Sequence, residues 1–473
     1  MKKNEYLRLP PDNEKKILGV FTRDKAFYRS FFPLLAVISL QGLAVFAVNM
    51  ADNIMLGTYT ELALSGATLV NQVQFVLQQI STGIGMGIVV LASQYWGQRR
   101  TEPIKKIISL GVKFGLLVGV LFFLAAQLFP HGVLALFTND ETVIAEGMRY
   151  LKVISWTYVI FGVSNSLMYA LQGVETAMVG TVMSVSTIII NVCLNYCLIY
   201  GNFGAPELGV VGAAVATLIS RAVELVIILG YILFVDKKLK MKLRELLQPD
   251  FSYLRDYVKV ATPVVLSGAL WGVAQGAQTS VLGHIGATVI AANSIAVVVF
   301  QIFAVVGFSC ANVASVVMGK TVGAGRFDKV RAYSKTMQAI FFLLGLVSGT
   351  LLFVCKDAIV QLYSVSEETK KLAVQFITVL GITTVGTCYE YPVESGIIGG
   401  GGHTKYAAWV DNLFMWLFTI PSAFLSAFVF HFPPLVTFCC LKADQLLKCI
   451  PNSITCNRYR WVRVLTREED TPQ

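Results

Sequence analysis

The strongest constraint on this chain is the recurrence, from about residue 31 to about residue 450, of apolar runs long enough to cross a hydrocarbon layer roughly 30 Å thick. Such a chain is built for lipid. Its 473 residues are 55% hydrophobic and 14% charged, against about 25% charged in soluble domains. The short charged links leave no room for a separate soluble domain of ordinary size. Hydropathy predicts an all-α membrane protein with twelve transmembrane helices, near residues 31–55, 62–92, 107–129, 149–172, 176–200, 209–235, 257–282, 288–318, 336–356, 371–397, 404–430 and 433–450. The last is the shortest, and Lys442 and Asp444 interrupt it.

The net charge of +10 arrives in clusters between the spans and not as one continuous face. That pattern argues against nucleic acid and fits the excess of basic residues on cytoplasmic loops. With the amino terminus inside, cytoplasmic segments hold 32 of the 38 Lys and Arg residues. Five fall outside, Arg149, Lys152, Lys356, Lys370 and Lys371, and Arg221 lies within a span. Both termini are therefore expected in the cytoplasm of a multi-pass protein of the cytoplasmic membrane. The amino-terminal stretch lacks an apolar region followed by a small-residue cleavage site, so no cleaved signal is expected.

Residues recur at an offset of 226: Leu56 and Gly57 with Leu282 and Gly283, Gly97 with Gly323, Arg100 with Arg326, Leu136 with Leu362, Glu141 with Glu367. Six helices duplicated give two six-helix lobes in the same orientation, related by a pseudo-two-fold axis along the membrane normal. The expected organisation is a cytoplasmic segment 1–30, a first lobe 31–235, a basic cytoplasmic linker 236–257, a second lobe 258–450 and a cytoplasmic tail 451–473. The turns YWGQRR and TVGAGR, Tyr95 to Arg100 and Thr321 to Arg326, hold equivalent places. Glycine suits a tight helix exit there, and the arginine suits the headgroup layer.

Asp52, in the stretch MADNIMLG of the first span, is the sharpest functional clue. A carboxylate at mid-bilayer costs roughly 2.5 to 3.5 kcal/mol on insertion scales, so it is expected to face a partner or a water-filled path. Asn191 and Asn195 lie one turn apart on the fifth span, and Thr217 lies on the sixth. These oxygens suit a proton or a hard cation, while asparagines alone also serve as glue between helices. In the tenth span Glu390 and Glu394 flank Pro392, which frees the carbonyl of Cys388. Two carboxylates one turn apart would repel each other if both were charged. Arg221 and Glu224, three residues apart, read as an intramembrane ion pair. Asp411, near a span end, is expected to snorkel or cap. A wall of amides and an aromatic, Gln41, Asn71, Gln79, Trp271, Gln275 and Gln278, suits a large, weakly polar or cationic guest.

Nothing here suggests an enzyme. The four histidines fall at span ends or loops, no nucleophile triad stands out, and no Walker-type phosphate loop occurs. The nine cysteines lie mostly within apolar runs without zinc-ligand spacing. No resident cofactor and no obligatory protein partner are expected; the partners are the bilayer and small organic molecules.

The runs AVNMADNIMLG, SQYWGQRR, ALQGVETAMVG, NVCLNYCLIYGNFGAPELGVVGAAVAT and MGKTVGAGRFDKV resemble the multidrug and toxic compound extrusion (MATE) transporters over about residues 30 to 465. The resemblance implies a cation-coupled antiporter, with H⁺ or Na⁺ as coupling ion, two six-helix lobes, and export of diverse, often cationic, drugs. It implies that Asp52 is the ion or proton site of the first lobe, with Asn191, Asn195 and Thr217 beside it. Three departures stand out: some relatives carry a second acid where Asn195 stands, sodium-coupled relatives carry a glutamate about where Trp271 stands, and GIIGGGGHTK lacks the arginine and acid of LRGGGDT. A lipid-linked oligosaccharide flippase of the same broad superfamily is the alternative. It would need a cationic cavity, whereas the mid-span charges here lean acidic.

Overall fold

A computed structural model describes residues 16–17, 20–248, 250–361, 363 and 365–467. Leu-, Val-, Ile- and Ala-rich runs satisfy their own backbone groups as helices, the one spanning form an open chain can take in lipid. Six belong to the first half: α1 Lys25–Tyr59, α2 Glu61–Gly97, α3 Thr101–Leu128, α4 as Glu141–Ile154 and Trp156–Gly173, α5 Met178–Tyr200 and α6 Val210–Val235. Six belong to the second: α7 Leu254–Ile285, α8 Ala287–Gly323, α9 Phe327–Gln361, α10 Glu367–Gly399, α11 Thr404–Val429 and α12 as Pro434–Lys442, Asp444–Leu447 and Cys449–Arg458. Ten are continuous and apolar enough to cross a membrane. The other two, α4 and α12, loosen at Ser155, Ala443 and Lys448, all of which keep right-handed helical dihedrals, so each remains one rod.

The duplication is visible in the helix boundaries. The starts of α2 and α8 (Glu61, Ala287), α3 and α9 (Thr101, Phe327), α4 and α10 (Glu141, Glu367) and α5 and α11 (Met178, Thr404) are each 226 residues apart. Lipid-facing side chains repeat likewise: Leu116, Leu117, Leu121 and Leu128 of α3 are exposed, as are Phe342, Leu343, Val347 and Val354 of α9. So do the cores. Leu56, Ala63, Val70 and Tyr150 are buried together in the first half, and Leu282, Val289, Ala296 and Phe376 in the second. There Phe376 stacks on Phe438 with ring centroids 4.0 Å apart.

The structure corrects the sequence reading in four places. Helices overrun the apolar windows: α1 and α2, of 35 and 37 residues, are about 52 to 56 Å long, and hydropathy registers only the part that matches the hydrocarbon. α12 continues to Arg458 because CIPNSITCNR stays helical although it is no longer apolar. A short antiparallel ladder, Lys16–Ile17 with Phe21–Thr22, precedes α1, and the Thr22 N–H donates to Thr336 Oγ1 at 2.9 Å. The exit from α2 is made at Arg99, with φ 60°, and not at Gly97; its counterpart 226 residues on, Gly325, has φ 68°. Gly97 remains helical and is needed for close packing instead.

Proline acts in α10 as expected. Pro392 has no N–H to give the preceding turn, and the helix widens to a π-type turn over Pro392–Gly399. Contacts divide the chain into two compact units. One holds Leu40–Ala92 and Arg100–Val265; the other holds the described residues up to Ser39, Ser93–Arg99 and those from Leu266 onward.

Candidate functional site

In the first unit α1 carries Asp52 two turns before its end at Tyr59, and α5 carries Asn195 two turns before Gly201, whose left-handed φ of 71° closes that helix. Asn195 Nδ2 donates to Asp52 Oδ1 at 2.5 Å and to Asn191 Oδ1 at 3.2 Å. Asn191 Nδ2 in turn donates to Thr217 Oγ1 of α6 at 3.2 Å. The four residues that the family resemblance groups together thus form one chain of polar contacts across α1, α5 and α6. Asn191 and Asn195 are fully buried, and the Asn195 Oδ1 acceptor has no hydrogen-bond partner among the described residues. A buried acceptor left unmatched beside a carboxylate is unfavourable unless something positive shares the site.

A cavity of about 20 Å³ opens on Asp52, lined also by Asn49, Asn71, Gln74, Tyr150 and Arg221. That is room for a water-sized guest, far below the roughly 300 to 1,000 Å³ that organic ligands occupy. The wall offers the Asp52 carboxylate, amides and hydroxyls, whose oxygens are the donor type hard cations and protons use, with Arg221 as its cationic side chain. Asn71, assigned from sequence to a substrate wall, belongs to this small cavity. Asn49 was missed there, Gln74 was one of several second-span amides, and Arg221 was read only as an ion-pair partner. The signal was present: Asn49 is three residues before Asp52, Gln74 three after Asn71 and Arg221 four after Thr217, all helical-face spacings. Arg221 also makes the expected ion pair, Nη1 to Glu224 Oε2 at 2.7 Å, and Ser164 Oγ donates to the other Glu224 oxygen at 3.3 Å.

The remaining amides of the proposed wall are dispersed. Gln41 is buried, donates to the Ala177 carbonyl at 2.7 Å and accepts from Gln172 Nε2 at 3.3 Å, so it fastens helices instead of facing a guest. Gln79 in the same unit is half-buried, as are Trp271 and Gln275 in the other. Gln278, the repeat counterpart of Asp52, is buried, donates to Met415 Sδ at 3.2 Å and accepts from Lys442 Nζ at 3.4 Å.

Glu390 and Glu394 are both buried in the second unit, in a cluster the sequence did not reveal. Lys448 Nζ of α12 lies 2.8 Å from Asp411, 3.3 Å from Asp444 and 3.4 Å from Glu390. Asp411 therefore does not snorkel or cap, because an ammonium one helix away offers a stronger partner. Asn452 Nδ2 donates to Glu394 Oε2 at 2.7 Å. Glu390 Oε2 has no hydrogen-bond partner among the described residues.

A family model described as MatE matches residues 38–197 and 263–437. Similar curated proteins include two named probable multidrug resistance protein NorM. The one from Thermotoga maritima is 24% identical over 426 residues, covering 89% of this chain and 90% of that one. The one from Bacillus cereus is 24% identical over 413 residues, covering 85% and 88%. Among solved structures, a mutant of the Vibrio cholerae MATE transporter VcmN is similar with a TM-score of 0.84 at 17% identity, over 93% of this chain and 98% of that one. A MOP superfamily transporter from Pyrococcus furiosus gives 0.83 at 19% identity, over 92% and 96%. At such identities the likeness speaks to the fold, the twelve-helix, two-lobe architecture expected from the sequence.

Proposed function

The chain belongs to the MatE family, and from that premise we propose that it is a cation-coupled antiporter exporting drugs and toxic organic compounds, often cationic ones, by alternating access. It works in the cytoplasmic membrane with both termini inside, and H⁺ or Na⁺ moving inward drives the export. The names of the curated relatives support the cargo class.

One observation carries the coupling: an intramembrane carboxylate opens on a cavity sized for an ion and not for a drug, beside a buried acceptor oxygen that has no partner among the described residues. Loading Asp52 with a small cation cancels a negative charge inside the first half. A cationic compound then loses an attraction it had before loading, which is the differential affinity an exchange cycle needs; tight binding alone would move nothing. Asn191, Asn195 and Thr217 hold the carboxylate in place and offer oxygens to its guest. In the second half Lys448 already supplies a positive charge to the acids around Glu390 and Glu394, so we assign that cluster to holding α10, α11 and α12 together.

Purified protein in liposomes with a fluorescent cationic dye tests this reading under an imposed pH gradient and, separately, a sodium gradient. Dye movement under one gradient only names the ion. Dye that stays put under both, with movement of lipid-linked sugar in its place, selects the flippase reading instead.

A further inference from the structure

The tip of α2 ends against the second half of the chain. Gly97 packs on the Lys320 carbonyl and on Gly323, Gly323 packs on the Gln94 backbone, and a Cβ on Gly319 would come 2.0 Å from Ser93 Oγ. These four small residues, Ser93 and Gly97 on α2 with Gly319 and Gly323 on α8, are repeat counterparts 226 apart. The two helices cross where small residues let their backbones approach closely, and the crossing itself contributes packing.

A separate segment adds a second, hydrogen-bonded hold. After α12 the chain turns at Tyr459, and Trp461 is buried against Gly401 with its Nε1 donating to the Cys456 carbonyl at 2.8 Å. Beyond that anchor the extended stretch from Arg463 lies along the tip of α2. The Gln94 amide grips it at two points, donating to the Arg463 carbonyl at 3.1 Å and accepting from the Leu465 N–H at 2.8 Å. Gln98 Nε2 donates to Thr466 Oγ1 at 2.6 Å, and the Arg467 N–H donates to the Tyr95 hydroxyl at 3.1 Å. On its other side the Arg463 N–H donates to the Gly401 carbonyl at 2.9 Å.

We propose that Arg463–Arg467 is a detachable strap that keeps the α2 tip on α8, so that this end of the molecule opens only when the strap lets go. The proposal rests on the alternating-access reading. The bonds to α2 come from side chains of one helix face to an irregular strand, and they part together without unfolding either element. Trp461 remains as the hinge.

Two arms test it, in full-length protein with the nine native cysteines replaced. In the first, Ser93→Cys reports on the crossing through its rate of reaction with a maleimide. Truncation after Val462 is expected to raise that rate roughly fivefold or more, the scale of an ordinary conformational coupling. An unchanged rate in a truncated protein that elutes as the parent does overturns the proposal. In the second, Gln98→Cys and Thr466→Cys are bridged by a short reducible bis-methanethiosulfonate crosslinker, because a direct disulfide would not span the reach of the Gln98 side chain; dye export is expected to stop on crosslinking and return on reduction of the same sample. Export that continues with the crosslink complete overturns it. The labelling arm needs no transported compound, so failure of dye export in every form counts against the function and leaves the strap judged by labelling.

Discussion

The two halves of this chain descend from one pattern yet treat buried charge in opposite ways. In the first, Asp52 accepts from the neutral amide of Asn195 at the mouth of a small cavity, and the cation in that wall, Arg221, is paired with Glu224 instead. In the second, the counterpart of Asp52 is the neutral Gln278, and the acids have moved to α10, α11 and α12 around Lys448. A carboxylate satisfied by neutral donors still has charge to offer an exchangeable cation; one facing an ammonium has its cation built in. On the proposed coupling, that difference gives exchange to the first half and a structural role to the ion cluster of the second.

The largest expected effect that would break this comparison comes from the lysine. Lys448→Met leaves Asp411, Asp444 and Glu390 without their shared partner and should destabilise the protein by about 3 to 5 kcal/mol, seen as a lower melting temperature in detergent. Adding Glu390→Gln should restore part of the loss. A melting temperature equal to the parent's would mean that the ion network does not hold the second half together.

Next comes Asn195→Ala, which removes the hydrogen bond to Asp52. A hydrogen bond to a charged group is worth about 1.5 to 3 kcal/mol, so the variant should melt lower than the parent and, in the protein that remains folded, lose most gradient-driven export. Asn452→Ala, which takes the donor from Glu394, should lower the melting temperature by a similar amount but leave export by the folded protein near the parent's. Equal profiles for the two variants would erase the distinction between the halves.

The smallest effect is a control outside both sites. Asp24, before α1, is held below the ordinary carboxylate value of 3.8, to about 2, first by the hydrogen bond from Lys329 and then by that from Tyr333. Because its native value is depressed, this tie is fully present above about pH 4 and is lost as pH falls through about 2. The melting temperature of the parent should exceed that of Asp24→Asn by a constant small margin from pH 7 to 5, and the margin should close toward pH 2. A margin that widens on acidification would reverse the sign.

Much of this was legible before the structure. Apolar length and the 226-residue echo reveal the twelve rods and the duplication, because lipid imposes both helix and hydropathy on the same residues. Asp52, Asn191, Asn195 and Thr217 could be read from polar side chains at helical spacing inside apolar runs. Lys448 could not, since it lies at the end of the last apolar window, where α12 is already losing its hydropathic signal. Nor could the role of Gln41, whose partner is a backbone carbonyl at Ala177 and carries no side-chain signature. The glycines of the turns at Tyr95–Arg100 and Thr321–Arg326 were visible, but their purpose was not, because close packing of α2 on α8 depends on which helix lies opposite.

Dye export by Asp52→Asn, set beside the parent in the same liposomes under the coupling gradient, tests the exchangeable charge most directly. The carboxamide keeps the shape and drops the charge, so the variant should reach the bilayer folded and melt as the parent does, yet move dye no faster than empty liposomes. Export at the parent's rate would mean that the small polar cavity of the first half is not where the gradient is spent.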